Sequence, residues 1–129
     1  MVKKRILIVD DLAIYRDPVV FALEGEGYKT LSAQNGLEAL HIIKSQVIPF
    51  SLMIVDFSMP EMNGLDFLSA AKKYDISRDV PSIMLTDMAD KSIIVKAAQL
   101  GVKDYILKTN FNLAELIAKV GAHIKNHNS

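Results

Sequence analysis

Two short stretches of the chain, Ile6-Leu7-Ile8-Val9 and Leu52-Met53-Ile54-Val55, are apolar at every position, and Ser82-Ile83-Met84-Leu85 is nearly so. Brief apolar runs rich in β-branched residues predict strands buried on both faces of a sheet. Tyr28 to Ala33 and Val102 to Leu107 are shorter, more mixed strand candidates. Between these runs the apolar positions recur at helical spacing. The clearest case is the last segment, where Leu113, Leu116, Ile117, Val120 and Ile124 share one helical face. Asn112 precedes it as an expected N-cap, with Glu115 three residues on. Leu37 to Lys44, Leu65 to Tyr74 and Asp90 to Leu100 also read as helices, the last closed by Gly101 as a left-handed C-cap.

The first helix has two readings because Pro18 lies in its path. In one, Asp17 caps it with Pro18 at the first helical position; in the other it begins near Ile14 and Pro18 kinks it. Gly25 and Gly27 then interrupt the chain before the second strand. Five strands alternating with five helices predict an α/β fold, a doubly wound parallel sheet in three layers with right-handed crossovers. No internal repeat or interdomain linker is visible, so residues 1–129 are expected to form one domain.

Composition narrows the function. Fifteen basic residues balance fifteen acidic ones, so the basic surplus of a nucleic-acid binder is missing, and there is no Trp to stack on bases. The lack of cysteine excludes disulfides, thiol catalysis and thiolate metal sites, and fits a reducing cytoplasm. No apolar run approaches the length of a signal peptide core or a membrane span, so a cytoplasmic protein without a membrane partner is expected.

Candidate chemistry follows from the strand ends, because an open parallel sheet forms its sites beyond the carboxyl ends of its strands. Asp10 and Asp11 follow the first strand, Asp56 the third, Thr86 the fourth and Lys108 the fifth. Taken singly, each has a plain structural role as a helix cap, a turn residue or a solvated lysine. Taken together, they place three carboxylates, a hydroxyl and an ammonium on one rim. Carboxylates crowded in this way repel one another unless a cation compensates. With only oxygen ligands on offer, that cation is hard and divalent: Mg²⁺, or Mn²⁺ in its place. Lys108 and the Thr86 hydroxyl suit phosphate oxygens, so the group is built for an acyl phosphate on a carboxylate.

These residues carry a family resemblance over essentially the whole chain. Ile6-Leu7-Ile8-Val9-Asp10-Asp11, Ala33 to Leu40, Met53 to Gly64, Leu85-Thr86 and Gly101 to Lys108 resemble the receiver domains of bacterial two-component response regulators. The resemblance implies a flavodoxin-like sheet of strand order 2-1-3-4-5. It further implies that Asp56 accepts a phosphoryl group from a histidine kinase or phosphotransfer protein. Asp11 and Asp56 would ligate Mg²⁺ directly, Asp10 through water, and Ser58 by its backbone carbonyl. Thr86 and Lys108 would hold phosphoryl oxygens. Thr86 and Tyr105 would then act as the switch that remodels the surface of the fourth helix, fifth strand and fifth helix. A downstream protein or effector domain would read that surface, and a homodimer through it is a further expectation. The resemblance implies a self-phosphorylating switch and not a turnover enzyme.

Two positions depart from the pattern. Asp87 replaces the usual small residue after the switch threonine, and with its neighbour Met88 it is expected to modulate the site. Thr109 stands where most receivers carry a proline joined through a cis bond. A non-proline bond there is expected to be trans, since cis costs about 3 kcal/mol. An aspartate-nucleophile phosphohydrolase is the competing enzyme class, but it wants a second Asp where this chain has Ser58. A phosphorylation-independent interaction module is the other alternative. His123 and His127 lack a third ligand and read as residues favoured at a helix C-terminus. No Gly-Lys-Ser/Thr phosphate loop is present, which argues against ATP as a direct donor.

Overall fold

The computed structural model describes residues 3–127. Strands β1 (Arg5–Val9), β2 (Lys29–Ala33), β3 (Leu52–Val55), β4 (Ser82–Thr86) and β5 (Asp104–Leu107) form one parallel sheet in the order β2-β1-β3-β4-β5. Helices α1 (Ala13–Gly25), α2 (Gly36–Lys44), α3 (Gly64–Ala71), α4 (Lys91–Gln99) and α5 (Leu113–His127) alternate with them, and a short 3₁₀ turn covers Lys108–Asn110. This is the expected flavodoxin-like topology.

The apolar runs sort their side chains by strand alternation, which puts successive residues on opposite faces of the sheet. Ile6, Ile8, Leu52, Ile54, Ile83 and Leu85 pack with Val19 and Leu23 of α1 and Leu116, Val120 and Ile124 of α5. Leu7, Val9, Met53 and Val55 pack on the other face with residues of α2 and α3. Met59 and Met62 pack against this second cluster. The cluster under α4 is much smaller: Leu65, Met84, Ile93 and Ala97 are its buried members.

Asparagines cap three of the helices, Asn112 as expected. The side chains of Asn35, Asn63 and Asn112 accept the backbone N–H of Glu38, Asp66 and Glu115 at 2.8–2.9 Å. At the end of α4, Gly101 is left-handed with φ +88°, and Val102 N–H reaches the Ala97 carbonyl. Pro18 falls inside α1, which starts at Ala13, so the reading in which the helix begins near Ile14 holds. Its missing N–H leaves the Ile14 carbonyl without its helical donor. Strand β5 begins two residues later than its apolar run, because Val102 is used to close α4.

Register sets up the site. Val9 pairs with Val55, and Val55 with Met84, so β1, β3 and β4 end at nearly one level. Thr86 pairs with Leu107 on β5. The next residue of each strand therefore emerges on the same rim.

Candidate functional site

Asp10, Asp56, Thr86 and Lys108 are all buried polar residues, at 4%, 3%, 0% and 6% exposure. The backbone N–H of Asp10 donates to the Ala33 carbonyl and that of Asp56 to the Val9 carbonyl, which extends the ladder and fixes both carboxylates. The Lys108 ammonium lies 3.0 Å from Asp10 Oδ2 and 3.1 Å from Asp56 Oδ2, so one cation bridges the ends of β1 and β3. Leu12 N–H donates to Asp10 Oδ1, and the Ser58 amide approaches Asp56 Oδ1 at 3.4 Å. Met88 N–H lies 3.4 Å from the Thr86 hydroxyl.

The charges do not balance. Asp10, Asp11 and Asp56 each bring a carboxylate oxygen within 4.8 Å of the others, against the single positive charge of Lys108. Burial pushes the Asp10 carboxyl above its usual range; the Leu12 N–H and Lys108 pull it back in part, while the Asp56 charge adds to the rise. Burial alone would depress Lys108, but its bonds and attraction to Asp10 and Asp56 outweigh that and raise it. Among the described residues, Asp11 Oδ1 is the one buried side-chain oxygen or nitrogen without a hydrogen-bond partner. An orphan oxygen within an over-negative cluster fits a hard divalent cation, since its burial is otherwise uncompensated.

Two glycines and a strained residue shape the loop beneath Asp56. A Cβ on Gly64 would meet the Asp56 carbonyl oxygen at 2.2 Å, so only glycine allows the β3–α3 loop to close there. A Cβ on Gly36 would press into Met62 of that loop. Glu61 adopts φ 71°, an uncommon conformation for a residue with a side chain.

The expected switch residue Tyr105 is half-buried, and its hydroxyl donates to the Met88 carbonyl at 2.5 Å. This bond ties β5 to the β4–α4 loop. Burial, with the nearby charges of Asp90, Asp56 and Asp87, raises the phenol above its usual range. Asp87 itself is exposed at the mouth of that loop. No cis peptide occurs among the described residues, so the bond to Thr109 is trans, as expected.

Sequence reasoning missed two contacts. The Lys108 ammonium sits 4.3 Å from the centre of the Tyr15 ring, and Arg16 donates to the Asp10 carbonyl at 2.7 Å. Tyr15 and Arg16 lie four and five residues after Asp11, in the first turn of α1, and that nearness to the rim was the one signal in the sequence. His123 also has a closer partner than the helix terminus: its Nε2 lies 2.6 Å from Asp104 Oδ2, and Lys119 Nζ is 3.1 Å from Asp104 Oδ1.

Residues 6–121 match the family model described as the response regulator receiver domain. The chain is a response regulator receiver domain. The receiver is 35% identical over 128 residues to a probable transcriptional regulatory protein of Picosynechococcus, covering 95% of this chain and 50% of that protein. It is 34% identical over 125 residues to the phosphate regulon transcriptional regulatory protein PhoB of Pseudomonas aeruginosa, covering 97% and 53%. The receiver thus spans about half the length of these relatives. Among solved structures, a CheY-like receiver domain protein from Methanospirillum hungatei superposes with TM-score 0.90 at 31% identity, covering 98% of each chain. Chemotaxis protein CheY4 of Vibrio cholerae gives TM-score 0.85 at 26% identity, covering 94% of this chain and 98% of that one. No helix among the described residues is long and apolar enough to cross a membrane.

Proposed function

We propose that the receiver takes a phosphoryl group onto Asp56 from a histidine kinase or phosphotransfer protein, and that Mg²⁺ is required. The observation that carries this is the unbalanced cluster itself: three carboxylates, one bridging ammonium and an orphan oxygen on Asp11. Asp10, Asp11, Asp56 and the Ser58 carbonyl would hold the cation, which neutralises charge on the transferring phosphoryl oxygens.

The chain's own residues supply the rest. An Asp56 carboxylate oxygen forms the bond to phosphorus as the bond from phosphorus to the donor atom breaks; the electron pair of that bond leaves with the donor, as neutral imidazole from a phosphohistidine protonated at its other ring nitrogen or as acetate from acetyl phosphate. Lys108, already 3.1 Å from Asp56, turns its ammonium to a phosphoryl oxygen. Thr86, at the end of β4, offers its hydroxyl to another. Movement of Thr86 draws on the loop through Met88, and the Met88 carbonyl is the acceptor of Tyr105. The phosphoryl charge is thereby coupled to the face formed by α4, β5 and α5, a local charge event biasing a two-state element. A downstream protein or effector domain reads that face, and PhoB-like relatives point to transcriptional output.

The test is intact-protein mass after incubation with acetyl phosphate, with and without Mg²⁺, for wild type and Asp56→Asn. One phosphoryl adduct is expected on the wild type, dependent on metal and lost in the mutant. An unmodified wild type would overturn the reading in favour of a phosphorylation-independent interaction module.

A further inference from the structure

We propose that Tyr15 is a positioning residue of the phosphorylation site, whose ring holds the Lys108 ammonium in place while the carboxylates beside it change partners. The inference rests on the reading of Asp56 as phosphoacceptor and extends it to a residue on α1.

Lysine reaches its target on a flexible four-carbon stem, so the position of its charge is set by what surrounds it. Here the ammonium touches Asp10, Asp56 and the Tyr15 ring. Its three N–H donors find two carboxylates, and among the described residues no third oxygen is recorded for it. The ring, 4.3 Å away, is the remaining partner, at cation–π distance. Lys108 is buried, and such contacts strengthen when the cation is desolvated.

Both carboxylate anchors are lost or altered in the reaction. Asp10 belongs to the group that would hold the cation, and Asp56 gives up its anionic oxygen to the new bond with phosphorus. The contact with Tyr15 depends on neither event. Among the described residues that touch the ammonium, the ring alone keeps its contact unchanged while the ammonium turns to the phosphoryl oxygen. The need is sharpened by Thr109, because the residue after Lys108 is not a proline that would stiffen the turn.

Tyr15 is well placed for this. It is half-buried near the start of α1, its N–H donates to the Leu12 carbonyl, and Val19 and Leu23 root the same helix in the core. No hydrogen bond is recorded for its hydroxyl among the described residues, so the aromatic face carries the role, and phenylalanine should serve in its place.

The decisive experiment compares acetyl phosphate-driven phosphorylation, read by intact mass with Mg²⁺, in wild type, Tyr15→Phe and Tyr15→Leu. Tyr15→Leu keeps apolar bulk but has no ring, and is expected to be about tenfold slower. Tyr15→Phe restores the rate to within about twofold of wild type, since the ring is retained. Pentafluorophenylalanine at position 15 keeps the shape while removing the negative ring face, and is expected to be slow like leucine. This variant decides the matter should Tyr15→Leu fail to fold. In the metal-free protein, NMR should show the Lys108 ε-protons shifted upfield by the ring in wild type and Tyr15→Phe, and unshifted in Tyr15→Leu. A wild-type rate in the leucine or pentafluoro protein, or equal slowing in Tyr15→Phe, would overturn the proposal. A wild type that takes no phosphoryl group would instead remove the reading beneath it, and the NMR shift would still report the contact.

Discussion

Asp10 shows what a single buried charge does to this receiver. Its carboxyl is held above the usual range, chiefly by burial, so the folded protein binds the Asp10 proton more tightly than the unfolded chain does. Stability from this group is therefore full below the unfolded carboxylate pKa and is lost as pH rises through the folded value. Asp10→Asn is expected to raise the melting temperature of the metal-free protein at neutral pH by roughly 3 °C. That gain should shrink as pH falls through the carboxylate range, which calorimetry across pH would check. Asp87 is a different case, an exposed carboxylate whose field still reaches the Tyr105 phenol. Asp87→Ala is expected to speed phosphorylation by acetyl phosphate about two- to threefold, a size set by solvent screening, and an unchanged rate would argue against any gating role. Asp10, Asp11, Asp56, Thr86 and Lys108 were legible as sequence because each follows a strand, and parallel strands end together. Tyr15 was not, because an aromatic on an amphipathic helix reads as core until its neighbour across the fold is known.

At the level of elements, β5 and α5 are joined by more than apolar packing. Burial would raise Asp104, but its hydrogen bonds to His123 and Lys119 outweigh that and hold it below the usual carboxylate range. A lowered carboxyl stabilises the fold above its unfolded pKa, and the contribution is lost as pH falls through the folded value. Asp104→Asn should cost about 0.5–1 kcal/mol near pH 7 in urea denaturation, with the difference from wild type vanishing in acid. The apolar stripe of α5 and its cap Asn112 were legible in the sequence, whereas the caps Asn35 and Asn63 of α2 and α3 went unread. The pairing of His123 was hidden because it joins residues of two elements, and spacing along one helix does not encode its partner. Likewise Val102 carries an apolar side chain suited to β5, yet the left-handed Gly101 turns its N–H back onto α4.

For the molecule as a whole, the three apolar clusters are unequal in a way that bears on signalling. Two extended clusters clamp the sheet between α1 and α5 on one side and α2 and α3 on the other. Helix α4 rests on a small third cluster and buries only Ile93 and Ala97 of its own residues. Regions with few buried apolar contacts open at lower free energy. Hydrogen exchange of the α4 amides is expected to be about tenfold faster than that of the α2 or α5 interior, and to slow when a phosphoryl analogue occupies the Asp56 site. Equal protection of all the helices would show that α4 is no looser than the rest. Strand order and layers were legible from the alternation of strands and helices together with the family's motifs. The small size of the cluster beneath α4 was not, because its segment is as periodic as the others and its depth of burial depends on what lies beneath. The register that gathers the site also has a consequence for the chain as it leaves the ribosome. Asp10, Asp11 and Asp56 emerge early, but the ammonium that reconciles them arrives with Lys108, after β5 has been made. A nascent chain halted short of that residue carries the three carboxylates without their counter-charge, so the cluster is balanced only once β5 has been made.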